Sequence, residues 1–535
     1  MSRALTRCGL GLFLAVAVLG CGHRSDRSRA VEGSPTVIRR GLSGEPASLD
    51  PAAVPDSFSS QVVEDLYEGL TVESPSGSAL PGVASSWEVD PTGTQYRFHL
   101  RADARWSNGQ AVRARDFVAA WRRVVDPKRA SPVADNLRIL AGATAILAGA
   151  APPETLGVSA PSDDVLVVNL EHPAAYLPQV LAHPAASPIY SDDAARAHGP
   201  HGWISNGAYV LTKWQPGTAI ELSRNAQYWD NTHVHVDRIE YQFAADDNSQ
   251  YARYRAGQLD LTDVVPANQL ATLRAERASE LVIAPILGTA YYGLNVSNGT
   301  LGPKVMLRQA LAMAIDRKQL VETLGFGQLG AYGLVPPGTW NYATQSFPWA
   351  SENDEERIAQ ARRLYAQAGF SPAAPLHLRL LFNSSAAIKR TAIAIAAMWK
   401  QTLGVDTEFT EEEYRVFLQT RHDKSRWDVV RLGWDADYND ASNFLDIFRA
   451  HSPNNDMGYV NPRFDALLDR AAVMTDLAQR KQLLEDAERV ALDDYPIVPL
   501  YYFVSKRLVK PYIRGVKPSA LNLVPSKMLS IVQHE

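Results

Sequence analysis

The densest run of oxygen ligands in this 535-residue chain is Asp435, Asp437, Asn439 and Asp446, at positions 1, 3, 5 and 12 of a twelve-residue window. Carboxylates and amides at that spacing can wrap a calcium ion, because the loop curls and presents oxygens from alternate residues. The sixth position of such a loop needs glycine for its sharp turn, and here it is Asp440, while aromatic Tyr438 fills the fourth beside Trp434. Calcium is therefore disfavoured, and the same residues call for another explanation. Two histidine pairs, His198 with His201 and His233 with His235, lack an acidic or cysteine partner at helical ligand spacing, and a structural zinc site wants four ligands. They read as loop histidines, so no metal and no other cofactor is expected. There is no G-x-S-x-G elbow, H-E-x-x-H, C-x-x-C, P-loop or G-x-G-x-x-G between strand and helix. A hydrolase, which would need a nucleophile and base, is accordingly the weakest reading of this chain.

The two cysteines, Cys8 and Cys21, belong to the N-terminus. Arg3 and Arg7 precede the apolar run Gly9 to Leu19, and Gly20 and Cys21 follow, the order of a secretion signal. The run is shorter than the roughly 20 apolar residues of a membrane helix, and no later stretch approaches that length. Val18-Leu19-Gly20-Cys21 resembles the lipobox of bacterial lipoproteins, which implies diacylation of Cys21 and an anchor in the membrane through lipid alone. With Cys8 removed, no disulfide framework is possible, and lipidation explains the surviving thiol. The polar stretch from Arg24 to Glu32 suits a tether. Residues 1–20 are thus expected to be the signal and 21–35 the tether. About 500 residues remain, too many for one core. With apolar residues at 46% and a net charge of −5, nothing points to nucleic acid.

Elements that could position a site alternate along the remaining chain, which favours α/β layers. Leu376, Leu378 and Leu380 alternate with His377 and Arg379 as in a strand. A helix follows, capped by Ser384 or Ser385, with Ile388, Ala392, Ile395 and Trp399 on one face and Gly404 past its end. Asn461 caps another, with Pro462 in its first turn and Phe464, Leu467, Leu468 and Ala471 inward. Thr475 is expected to start a helix burying Leu483, Leu484, Ala487, Val490 and Ala491. Ser351 to Gly369 is expected to be helical through Ile358, Ala361, Leu364, Tyr365 and Ala368, and Ala141 to Pro153 to be a surface excursion. Internal repeats are absent.

Several segments occur in an order that resembles the family 5 extracellular solute-binding proteins, the oligopeptide-binding components of peptide ABC importers. They are Glu45-Pro-Ala-Ser-Leu-Asp-Pro51, Asp65-Leu-Tyr-Glu-Gly-Leu70, Pro81 to Trp87, and Phe98 to Val118 with Trp106, Gly109 and Asp116. Asn206-Gly-Ala-Tyr209, Asn225 to Asp230, Ala314-Ile-Asp-Arg317 and Gly433-Trp-Asp-Ala-Asp-Tyr-Asn439 complete the set. The resemblance implies a periplasmic binding protein-like class II venus-flytrap: an α/β fold of three domains, with two lobes around a cleft. Domain I would comprise 36–67, 206–287 and 504–535, domain II 68–205, and domain III, the second lobe, 288–503. It further implies a monomer in the cell envelope, on the periplasmic side, that captures short peptides for an inner-membrane ABC permease and catalyses nothing. Murein-derived or signalling peptides, or a non-peptide solute, are the alternatives on the same scaffold.

A binder of many peptides must hold what all peptides share: ammonium, backbone and carboxylate. A carboxylate suits the ammonium, and by family likeness Asp437 takes that place. Arginine can grip a carboxylate through two parallel hydrogen bonds, and Arg431 and Arg421 match family arginines that line the cleft. One extra residue stands between these two relative to the family pattern. Trp434, Tyr414 and Tyr291 are candidate walls, because aromatic rings offer broad contact without demanding one side chain. Asn383 is a candidate backbone partner, and Asp56 lies near a family position with an acidic residue. Asp435, Ile388 and Phe503 depart from the family, standing where relatives can have cysteine, histidine and tyrosine.

Overall fold

The computed structural model describes residues 35–532 except 55, 75–76, 191–202, 245, 298, 326 and 520. The signal and Cys21 therefore lie outside the described residues, as does the pair His198 and His201. Three larger sheets organise the rest. In the first, Val37–Leu42 runs parallel to Arg238–Phe243, from Val37 opposite Arg238 to Leu42 opposite Phe243, although some two hundred residues intervene. Ala219–Arg224 and Tyr209–Gln215 extend it antiparallel. Val37–Leu42 and Arg238–Phe243 bury alternate residues, which sends Ile38, Ile239 and Tyr241 into one core. The second sheet, Ala84–Val89, Gln95–Leu100, Val165–Asn169 and Val158–Ser162, is antiparallel throughout. Its core is continuous with that of the first, and the amphipathic helix Ala114–Val125 covers it with Phe117, Trp121 and Val124.

The third sheet has six strands, in the order Leu329–Gly330, Ile497–Leu508, Leu281–Leu294, Val429–Asp435, His377–Asn383 and Asp406–Glu412. Helices cover both faces, giving two cores. One contains Leu311, Ile395 and Trp399, and the other Trp427, Phe444 and Phe464. The long strands Leu281–Leu294 and Ile497–Leu508 run antiparallel, and their register breaks between Pro285 and Thr289. They join the two lobes: Leu281 and Leu508 pack with Tyr254 and Leu270 of the first lobe, while Leu294 and Val498 sit in the second. Beyond Leu508 the chain returns to the first lobe, where Val524 and Ser526 bond to Arg40, Gln61 and Asp65.

The helix Ala386–Leu403 begins after Ser385, buries Ala392, Ile395 and Trp399, and ends on Gly404 at φ 83°. Asn461 caps Pro462–Ala472 by accepting from the amides of Arg463 and Phe464. Two expectations need correction. Asp476, not Thr475, caps the helix Leu477–Asp494, because its carboxylate reaches the amides of Ala478 and Gln479. The helix expected from Ser351 starts at Asp354 under the Asn353 cap, since Pro348–Ser351 makes a 3-10 turn. Ala141 to Pro153 runs over the surface as expected, pinned through Ala143 and Ile146 of its short helix Ala143–Leu147. Among the described residues no helix is long and apolar enough to cross a membrane.

Candidate functional site

Strand Val429–Asp435 ends at the junction of the lobes, and alternation puts Arg431, Gly433 and Asp435 on one face. Beside it, the register break in Leu281–Leu294 turns Ile286 and Leu287 into a cavity of about 690 Å³. Asp435, Ala436, Asp437 and Tyr438 line the same cavity from the second lobe. Opposite them stand Asp56, Ser57 and Ser60, then Asp135, Asn136 and His183, and Leu521 to Leu523. Close approach depends on Gly288, where an added Cβ would lie 2.5 Å from an Asp435 carboxylate oxygen.

Asp437 is held through Asn443. The Asn443 side-chain oxygen accepts from the Asp437 amide (3.3 Å) and from Trp434 Nε1 (2.7 Å), and its Nδ2 reaches Asp437 Oδ2 at 3.5 Å. Burial raises the Asp437 carboxyl above its ordinary range, the Asn443 bond opposes that, and Asp135 across the cleft adds to it. Asp435 is raised in the same way by burial, with Arg431 opposing and Asp437 adding. His183 accepts at Nδ1 from the Ala185 amide (3.1 Å) and from Asn136 Nδ2 (3.2 Å), which places its proton on Nε2. Burial lowers its pKa to about 4, so the ring is neutral at physiological pH and offers one N–H.

The loop carrying Asp437 is anchored by its next three residues. Tyr438 stacks on Tyr176 of the first lobe, with ring centres 5.0 Å apart. Asn439 accepts from the Trp340 amide (2.8 Å) and donates to Glu73 (3.2 Å) and to the Gly77 carbonyl (3.1 Å). Asp440 and Arg480, both buried, form two parallel hydrogen bonds of 2.7 and 2.8 Å. Asp446 pairs with Arg449 (2.6 Å). The polar side chains of the calcium-like window thus go different ways: Asp437 to Asn443, Asn439 across to the first lobe, and Asp446 to Arg449.

The expected residues are distributed unevenly. Asp437 and Asp56 meet in the cavity, and Asp56 also caps helix Ser57–Leu66 through the Ser59 amide (2.7 Å). Arg431 stands two residues before a lining carboxylate. Its guanidinium makes no hydrogen bond or ion pair among the described residues, and Arg431 itself does not line the cavity. Trp434 is tied to Asp437 through Asn443 and packs on the second-lobe core. Arg421 faces inward, 3.5 Å from the buried Asp456. Tyr291 is buried against Phe448 and lines no part of the cavity. Tyr414, 56% exposed, starts helix Tyr414–Thr420, and Asn383 ends its strand opposite Glu412; neither lines the cavity. Asp135, His183 and Asn443 are the residues that sequence reasoning missed.

Residues 79–456 match the family described as bacterial extracellular solute-binding proteins, family 5 Middle. The chain belongs to that family. Its members are solute-binding proteins and not enzymes, and the two-lobed α/β fold is theirs. The periplasmic oligopeptide-binding protein OppA of Salmonella typhimurium is 36% identical over 509 residues, 93% of each chain. Among solved structures, the unliganded open form of the periplasmic murein tripeptide-binding protein MppA superposes with a TM-score of 0.88. It is 32% identical, over 94% of this chain and 98% of that one. Haemophilus influenzae OppA in complex with the peptide RPPGFSPFR gives 0.70 at 33% identity, over 93% and 99%. As a family 5 protein, the chain therefore lies nearer the open arrangement than the peptide-filled one.

Proposed function

We propose that this protein captures oligopeptides in the cleft between its lobes and delivers them to an ABC importer, without catalysing a reaction. The observation that carries the reading is the Asp437 carboxylate, set in an inter-lobe cavity with no cationic side chain among the described lining residues. A peptide ammonium would supply the missing charge, and lobe closure would enclose the pair. Arg431 is the partner for a carboxylate end or a backbone carbonyl. Asp56, Asp135 and Asp435 add negative charge to the walls, which favours peptides with basic side chains.

The three-domain division, domain I from 36–67, 206–287 and 504–535, domain II from 68–205 and domain III from 288–503, belongs to the same reading. It is supported by the sheets, since the strands that span its boundaries are the two crossovers, Leu281–Leu294 and Ile497–Leu508. Diacylation of Cys21 and action as a monomer complete it, the lipid holding the protein near its permease. Metabolic labelling with palmitate should mark the protein and miss its Cys21→Ala variant; label retained by the variant would remove the anchor from Cys21.

Calorimetry tests the cleft. Tri- to pentapeptides, lysine-bearing ones most tightly, should bind the natural protein. Asp437→Ala should lose about 3–5 kcal/mol if the ion pair is enclosed, and N-acetylation should cost a similar amount. Equal affinity for acetylated and free peptides would sink the role of Asp437. Because binding returns a raised carboxyl to its ionised form, affinity should also weaken as pH falls through the acid range.

A further inference from the structure

A second cavity between the lobes, of about 390 Å³, lies away from the cleft residues just described. Trp87, Tyr96 and Pro178 form its first-lobe wall, while Trp340 and Leu477 close it from the second lobe. Volume and walls are those of a small-molecule site, in which apolar and aromatic surface supplies contact and few polar groups fix orientation.

Two observations narrow what it would hold. Gln179, among the lining residues and only 6% exposed, has a buried side-chain oxygen with no hydrogen-bond partner among the described residues. A buried acceptor without a donor costs free energy, and a ligand N–H or O–H would recover it. Asp90 is the one charged residue of the described lining, and it is already spent. Its Oδ1 accepts from the amides of Thr94 and Gln95, and its Oδ2 from Thr92, so it shapes the turn into Gln95–Leu100. An anionic ligand would meet this carboxylate and no counter-ion among the described lining residues, and a cationic one would have to displace the four donors already on the Asp90 oxygens; a neutral ligand does neither.

We propose that this cavity is a second binding site, for an uncharged aromatic molecule that stacks among Trp87, Tyr96 and Trp340 and donates one hydrogen bond to Gln179. The site is distinct from the peptide cleft and does not depend on the peptide reading. The mouth is built for entry from water, since Leu477 and Thr475 are exposed.

Saturation-transfer NMR on the intact protein, with indole and with benzothiophene, its isostere lacking the N–H, tests both parts. Indole should receive saturation and bind about tenfold tighter than benzothiophene. Gln179→Leu should abolish that preference. Thr475→Trp, at an exposed position that leaves the core intact, should fill the mouth and weaken indole at least tenfold. The proposal is overturned by absence of transfer to indole, by equal affinity for the two probes in the natural protein, or by indole binding that survives Thr475→Trp.

Discussion

Single ionisable side chains in this protein sit where a charge would not be fully balanced, and Glu64 is the clearest case. Burial raises its pKa to about 8. Lys527 works against that rise, while Asp65, Glu68 and Glu73 reinforce it. Lys527 does not cancel the rise, and its ammonium donates to Glu68 at 2.8 Å. The folded protein therefore keeps a proton on Glu64 that the unfolded chain releases near its ordinary 4.5. Stability from this group is full below that value and is lost as pH rises towards about 8. Thermal melts across this range should show the natural protein losing midpoint relative to Glu64→Gln, at about 1 °C for each kcal/mol in a chain of this length. Parallel pH profiles for the two proteins would contradict the assignment.

Elements place these groups, and the loop after Val429–Asp435 shows how. It is locked from below by Asp440 and Arg480, the latter 2% exposed and 5.2 Å from the centre of the Tyr176 ring. Arg480→Met would strand a buried carboxylate and should cost about 3–5 kcal/mol in denaturant melts, with Asp440→Leu added to it recovering most of the loss. If the single and double variants were equally unstable, the ion pair would not be what holds the loop. Local rules were enough to find the helices, whose caps at Asn461 and Gly404 are written in single residues. They misplaced two starts, one because Thr475 and Asp476 are both good caps and only the reach of the carboxylate separates them, the other because Pro348–Ser351 makes its own 3-10 turn ahead of the Asn353 cap. Tyr291 shows a different limit. Helices bury both faces of the six-stranded sheet, so period-2 alternation cannot tell which of Tyr291 and Tyr292 faces a ligand. Asp435 and Asp437 were legible as an acidic run, and Asp437 gained its role from resemblance. Asp135 and His183 reach the same cavity from about 300 and about 250 residues earlier, and no local pattern marks a partner that distant.

At the scale of the whole molecule, two bodies are joined by two long strands, the Tyr176–Tyr438 stack and the Asn439 bridge, and their arrangement matches an open relative better than a peptide complex. Asp56 and Asp135 stand on one wall of the cleft, with Asp435 and Asp437 on the other. Like charges on facing jaws act as a spring. On the proposed reading they would push the lobes apart where no cation lies between them, and a peptide ammonium would convert the push into a pull. Salt weakens such a spring, because the screening length shrinks from about 30 Å at 0.01 M to about 3 Å at 1 M. Small-angle scattering of the peptide-free protein should then report a smaller radius of gyration as salt rises over that range, and a weaker salt response in Asp435→Asn. A radius indifferent to salt would mean that the strands alone set the gape. A radius that shrinks with salt would mean that the four aspartates both read the ligand and set the angle at which the protein waits for it.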